Sequence, residues 1–188
     1  EEAVVPGADL SRTVGWFTSA YPVRVDLAGV DVDDAFAGGT AMGSAVKAVK
    51  EQLLGIPDKG MGFGLLRYLD PESSARLAAI ARPPQISFNY LGRVSSADVP
   101  EGLAEIGWAP TDALGRVDAA LDADMPASAA VDINAIVNDG ADGPQLGANI
   151  AFPAGLLDRE DVDEFVQHWW AALAALVTHA ADPAAGGL

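Results

Sequence analysis

The sequence contains no cysteine and only two histidines in 188 residues. The first absence excludes disulfides, a thiol nucleophile and thiolate metal ligation. The second leaves little imidazole for acid–base or metal chemistry. A cytoplasmic, reducing setting is compatible with the lack of thiols. Basic residues are also scarce: 11 Lys and Arg stand against 27 Asp and Glu, for a net charge of −16. That balance opposes nucleic acid and anionic membrane as partners, because both are polyanions; it otherwise reads as a well-solvated surface. No apolar run is long enough for a membrane span, and no secretion signal is expected from the residues present. There is no initiator Met before Glu1-Glu2, so the chain is expected to be a fragment cut from something longer. There is no G-x-S-x-G elbow, no Gly-Lys-Ser/Thr phosphate loop and no calcium loop.

What is present is apolar enough to fold. Half of the residues are hydrophobic and the mean hydropathy is +0.19, so a packed core is expected rather than disorder. Tyr21 to Leu27 alternates, with Val23, Val25 and Leu27 on one side and Arg24 and Asp26 on the other, which predicts a strand. Asp31 to Asp34 can cap a long helix running to Leu54, with Met42, Val46, Val49 and Leu53 as its core stripe and Gly55 and Pro57 as its end. Short helices are expected over 62–69 and 73–81, the second stopped by Pro83-Pro84. Ile86 to Leu91 reads as a strand. The stretch from Gly92 to Ala127 is poorly periodic, with an irregular strand near Gly107-Trp108. Strands over 129–137 and 145–152 flank the turn residues Asp139 to Pro144 and predict an antiparallel hairpin. A final helix over 159–180 carries a wide apolar stripe from Val162 to Ala180. No repeat or domain linker is visible, and the fold class expected is α/β (α+β): a mixed β-sheet with packed helices in two layers.

Most chemistry-bearing residues have a plain structural explanation. His168 and His179 lie about three turns apart on the final helix, too far to share a metal, and are expected at the surface or an interface. Asp31, Asp33 and Asp34 suit a helix start, while Asp139 and Asp142 suit a turn. Asp122 and Asp124 have no partner spacing, so no metal site is expected. Gly60, Gly62 and Gly64 lack the strand–loop–long-helix context of a nucleotide cradle; close backbone approach or positive φ explains them better. Phe88-Asn89-Tyr90 is less easily dismissed. An asparagine on a short apolar strand must find partners for its amide. Alternation puts Asn89 and Tyr90 on opposite faces unless the strand bulges there.

Three blocks in order carry a family resemblance: Arg12-Thr13-Val14-Gly15-Trp16-Phe17-Thr18, then Pro57-Asp58-Lys59-Gly60-Met61-Gly62-Phe63-Gly64, then Phe88-Asn89-Tyr90-Leu91-Gly92. Together they resemble the late motifs of epimerization domains from nonribosomal peptide synthetases, and the resemblance extends from about Leu10 to His179. Phe63 stands where tyrosine is commoner. The related condensation domains tend to carry G-x-F-V-N-T and H-Q-x-x-P-F in the first two places; Phe88 to Gly92 followed by Arg93 favours epimerization. The family's H-H-x-x-x-D-G motif is absent.

The resemblance implies one half of a two-lobed, chloramphenicol acetyltransferase-like fold: residues 1–188 would be the C-terminal subdomain of an epimerization domain, without its N-terminal subdomain. Such domains invert the α-carbon, L to D, of an aminoacyl or peptidyl thioester held on the phosphopantetheine arm of a carrier protein. Removing the α-proton needs a base on one face, an acid on the other, and donors for the enolate oxygen. In the family the proton transfers belong to the missing histidine motif and to a Glu of an E-G-H-G-R-E block, whose edge Glu1 would mark. Asn89 and Tyr90 become the candidates for enolate stabilisation or site ordering, and Trp16, Phe17, Thr18, Gly62 and Gly64 for the wall of the substrate tunnel. No bound cofactor or metal is implied; the phosphopantetheine arm is a substrate tether. The expected partners are the N-terminal lobe and the carrier protein. The alternatives are a condensation-type lobe and a non-catalytic docking module.

A lone lobe should expose the apolar face that met its partner. Sedimentation velocity across micromolar concentrations is therefore expected to show self-association, or binding of the partner lobe when it is added. A strictly monomeric profile counts against this.

Overall fold

The computed structural model of the protein describes residue 7 and residues 9–15, 17–80, 85–94, 125–140 and 143–185. They fall into two compact units, Glu1–Ala81 with Ala172–Leu188, and Arg82–Ala171. The elements are α1 (Val32–Phe36), α2 (Thr40–Leu54), a 3-10 turn (Pro57–Gly60), α3 (Met61–Tyr68), α4 (Pro71–Ile80), β1 (Ile86–Val94), β2 (Val131–Gly140), β3 (Gly143–Ala151) and α5 (Arg159–Ala181). The class is mixed α/β, as the hydrophobic periodicities predict. The expected strand near Gly107-Trp108 and the Pro83-Pro84 stop lie outside the described residues.

In the first unit the long helix expected from Asp31 to Leu54 is two helices. Asp31 caps α1, its Oδ1 accepting from Asp34 N at 3.1 Å. The chain then turns at Gly38, where φ is +78°. A side chain there would meet α5: a Cβ would sit 3.0 Å from Thr178 Cγ2 and 3.2 Å from Ala175 O. Only glycine combines that φ with that approach. Gly39 is the N-cap residue of α2 and has no side chain to cap with. Asp34 supplies the missing acceptor, its Oδ2 taking the Ala41 N–H at 2.8 Å. The corner closes on a small core of Ala35, Met42 and Ala175, with Val30, Ala41, Val46 and Leu176 packed against it.

Three further expectations are corrected in this unit. Residues 21–27 form no strand. Val23, Val25 and Leu27 are exposed, and the side-chain amide of Gln52 takes the place of a neighbouring strand. It accepts from Asp26 N and donates to Asp26 O, both at 2.8 Å. His179 is buried, only 4% exposed, not at the surface. It lies one turn beyond Ala175 on the same face of α5, and Gly43 leaves room for its ring: a Cβ at Gly43 would be 2.7 Å from His179 Nε2. His179 Nδ1 lies 3.3 Å from the Gly38 carbonyl. That carbonyl can only accept, so Nδ1 is the donor, and Nε2 is buried without a partner. Finally, Gly62 and Gly64 lie inside α3 with open space around them and no positive φ; of the three glycines only Gly60 needs to be one, with φ at +82° and the Tyr21 ring pressed against it. A helix start tolerates glycine without requiring it.

The second unit is a three-stranded sheet in the order β1-β2-β3. β1 runs parallel to β2, and β2 and β3 form the expected antiparallel hairpin. Val131, Ile133 and Ala135 on β2 are buried, as is Val162 on α5. α5 passes from this unit into the first at Ala172. His168 is exposed, as expected. No helix among the described residues is long and apolar enough to cross a membrane.

The corner gives a prediction for stability. Gly38→Ala should cost about 2 kcal/mol, from the left-handed backbone and the contact with α5. Asp34→Ala should cost about 1 kcal/mol through the lost cap. Urea unfolding followed by circular dichroism reads both, and a variant as stable as the parent refutes the role assigned to that residue.

Candidate functional site

The third motif block is β1 itself. Ile86, Phe88 and Tyr90 share one face; Ser87 and Asn89 share the other. The apolar side is the more open: Phe88 is 61% and Tyr90 51% exposed, whereas Ser87 and Asn89 are half-buried. Pairing is regular up to Tyr90 opposite Ala135, then slips, with Arg93 opposite Val137. Gly92 takes up the irregularity with φ +87°. The bulge therefore starts after Tyr90, and Asn89 and Tyr90 keep opposite faces. Beyond it, Arg93 Nε donates to both oxygens of Asp139, at 2.8 and 3.1 Å.

The register places Asn89 beside Asn134, and Asn134 beside Asn149 on β3. Asn89 Nδ2 donates to Asn134 Oδ1 at 3.1 Å. Asn134 Nδ2 donates in turn to Asp132 Oδ1 at 3.3 Å, two residues back on the same face. These bonds satisfy part of what two half-buried amides require. Among the described residues they leave one N–H and the Oδ1 of Asn89 without a further partner. Asn134 and Asp132 are the functional candidates that sequence reasoning missed. The alternation in Val131 to Ala135 puts them on the polar face, but nothing local reveals that this face meets Asn89.

The other candidates sit in the first unit. Trp16 lies outside the described residues. Phe17 and Thr18 are exposed on the irregular segment before Tyr21, and Gly62 and Gly64 lie on α3. The segment that follows the first block meets the second where the Tyr21 ring covers Gly60. Further along, a shallow surface depression is lined by Arg67, Tyr68, Ser74 and Ala78, with the Arg67 guanidinium 5.6 Å from the centre of the Tyr68 ring. Asp70 caps the adjoining α4, accepting from Ser73 N at 3.1 Å. Ser73, through its hydroxyl first and its backbone N–H second, holds the Asp70 carboxyl below the usual carboxylate range. No group of three or more His, Asp and Glu among the described residues is placed to hold a metal.

Residues 3–186 match the condensation-domain family. Among curated proteins, a linear gramicidin synthase of Brevibacillus parabrevis is 36% identical over 99% of this chain and 2% of its own length. Bacitracin synthase 3 of Bacillus licheniformis is 35% identical over 96% of the chain and 2% of its own length. A plipastatin synthase of Bacillus subtilis (strain 168) is 32% identical over 95% of the chain and 5% of its own length. The chain thus spans only a few per cent of these relatives. Among solved structures, the epimerization domain from the third module of tyrocidine synthetase B superposes with a TM-score of 0.64 at 25% identity, over 93% of this chain and 35% of that one.

The Asp70 cap titrates in a defined direction. Its folded-state pKa is lowered, so the stabilisation is complete above the ordinary value of 3.8 and is lost as pH falls through the lowered folded value. The protection of the Ser73 amide proton, measured against the unstructured exchange rate at the same pH, should fall over that acid window. Asp70→Asn should abolish the step; a step that survives this change would assign it to another group.

Proposed function

The chain belongs to the condensation-domain family, and on that premise we propose that it is the C-terminal lobe of an epimerization domain. In nonribosomal peptide synthesis, a secondary-metabolic process of the cytoplasm, it would help invert the α-carbon of an aminoacyl or peptidyl thioester. The observation that carries the reading is the superposition on an epimerization domain over 93% of the chain, joined to the Phe88 to Gly92 block, whose asparagine is half-buried and hydrogen-bonded on β1. The substrate is tethered through phosphopantetheine to a carrier protein, which with the N-terminal lobe makes up the partners.

The chemistry divides accordingly. Abstraction of the α-proton and its return to the other face need titratable groups, which the N-terminal lobe supplies. Asn89 can act as neither acid nor base near neutral pH, but its free amide N–H can stabilise negative charge on the enolate oxygen. Tyr90, on the opposite face, orders β1 and does not share that task. Trp16, Phe17, Thr18, Gly62 and Gly64 belong to the tunnel wall in this reading.

The test joins this chain to its N-terminal lobe and supplies an L-aminoacyl thioester on a carrier protein. Chiral chromatography of the released amino acid should show the D form without any acceptor substrate. The chain alone should show none, and Asn89→Ala in the joined protein should lower kcat about 100-fold, as for loss of one oxyanion donor. Peptide-bond formation that requires an acceptor would instead identify a condensation-type lobe. Absence of both activities would identify a docking module, and inversion by the chain alone would refute the division of labour.

A further inference from the structure

We infer that Asp132 and Asn134 are positioning residues that fix the orientation of the Asn89 amide, with one N–H turned to Asn134 and the second left free for the substrate. The inference rests on the reading of Asn89 as the enolate-facing group. Two asparagine side chains in contact can bond either way round, nitrogen to oxygen or oxygen to nitrogen, at nearly equal energy. The Asn89–Asn134 pair alone is therefore ambiguous by a half-turn of both amides. A carboxylate removes the ambiguity because it only accepts. Asn134 must turn its Nδ2 to Asp132 Oδ1, which lies 3.3 Å away. Its Oδ1 is then left to face Asn89, which must turn its own Nδ2 inward at 3.1 Å. The sense of every bond in the row is set by the one group that cannot donate.

Among the described residues, the partners across the hairpin leave this polarity unopposed. Across the hairpin the register partners of Asp132 and Asn134 are Ala151 and Asn149. Ala151 offers no side-chain hydrogen bond, and Asn149 is exposed and makes none among the described residues. Asn89 and Asn134 come from segments 45 residues apart in sequence, so the relay forms only when β1 takes its parallel register. Asp132 reaches Asn89 only through Asn134, so both act on the site indirectly.

Nuclear magnetic resonance of the 188-residue chain, labelled with nitrogen-15, tests the relay directly. One of the two Asn89 side-chain amide protons should exchange with water clearly more slowly than those of Asn149. If both exchange as fast as those of Asn149, the relay does not exist. Asp132→Asn removes the acceptor-only group at nearly constant volume and should abolish the protection. Adding Asn134→Asp to it should restore the protection, because the new amide at position 132 then donates to the new carboxylate at position 134, which again accepts from Asn89. A purely space-filling role predicts no such rescue. Retained protection in the single variant, or no recovery in the double, overturns the inference. In the joined two-lobed protein, Asp132→Asn should lower kcat on the order of tenfold, the scale seen for outer-shell partners. KM should be unchanged and there should be no further loss on top of Asn89→Ala. Asn149→Ala should leave activity intact. If the relay is seen in the spectra but Asn89→Ala keeps full activity, the reading of Asn89 fails and the orienting relay stands.

Discussion

The parallel pairing of β1 with β2 is the contact on which the candidate site depends. It opposes Ile86 to Val131, Phe88 to Ile133 and Asn89 to Asn134. Because side chains alternate, a slip of one residue would carry Asn89 to the other face and Phe88 to its place. Several features act against that slip. β2 is held on its other side by the hairpin, and its Ile133 and Ala135 are almost fully buried, at 3% and 1% exposure. The Asn89–Asn134 bond adds a polar match that only one register allows. Arg93 on Asp139 pins the strand beyond the bulge, at its far end. That ion pair is partly exposed and contributes little stability; what it contributes is alignment.

A different constraint governs the first unit, the close approach of backbone to backbone. Gly38 and Gly43 face α5, and the core between them is built from Ala35, Met42 and Ala175. Small side chains let the α1–α2 corner and α5 meet closely, and His179 fills the space that Gly43 leaves. The result is a buried imidazole with one nitrogen bonded and the other orphaned, a cost of a polar group left without water. Asp34 shows the same economy of parts: one carboxylate, itself within α1, caps the next helix, because the residue that should do so is a glycine.

Sequence makes the elements legible wherever the signal is local. Asp31 as a cap, Gly55 as a helix end, the start of β1 and the β2–β3 hairpin all follow from short-range chemistry, and the structure has them within a few residues. The departures are of one kind. Tyr21 to Leu27 has the alternation of a strand but meets a glutamine amide instead of a strand. The helix through Gly38 breaks because α5, more than a hundred residues later, occupies the space a side chain would need. His179 reads as a surface residue because its burial is decided at Gly43. The candidate site divides in the same way: Asn89 stands out as a polar residue in an apolar strand, whereas Asn134 and Asp132 gain meaning only from a register that no local pattern encodes.

In the proposed reading an amide stands where charge develops, an unusual choice, and its limits account for the relay behind it. It neither takes nor gives a proton near neutral pH, so it cannot replace the acid and base that inversion of an α-carbon demands. What it offers in the proposed reading is its second N–H, and a donor helps only if it is held in place before the charge appears. Arginine would settle the direction by carrying charge into the site, which would stabilise the bound thioester's surroundings as well as the enolate. In that reading Asn89 avoids this by taking its orientation from a carboxylate one amide removed. The negative charge stays on β2, the donor stays neutral on β1, and the polarity passes between strands through Asn134.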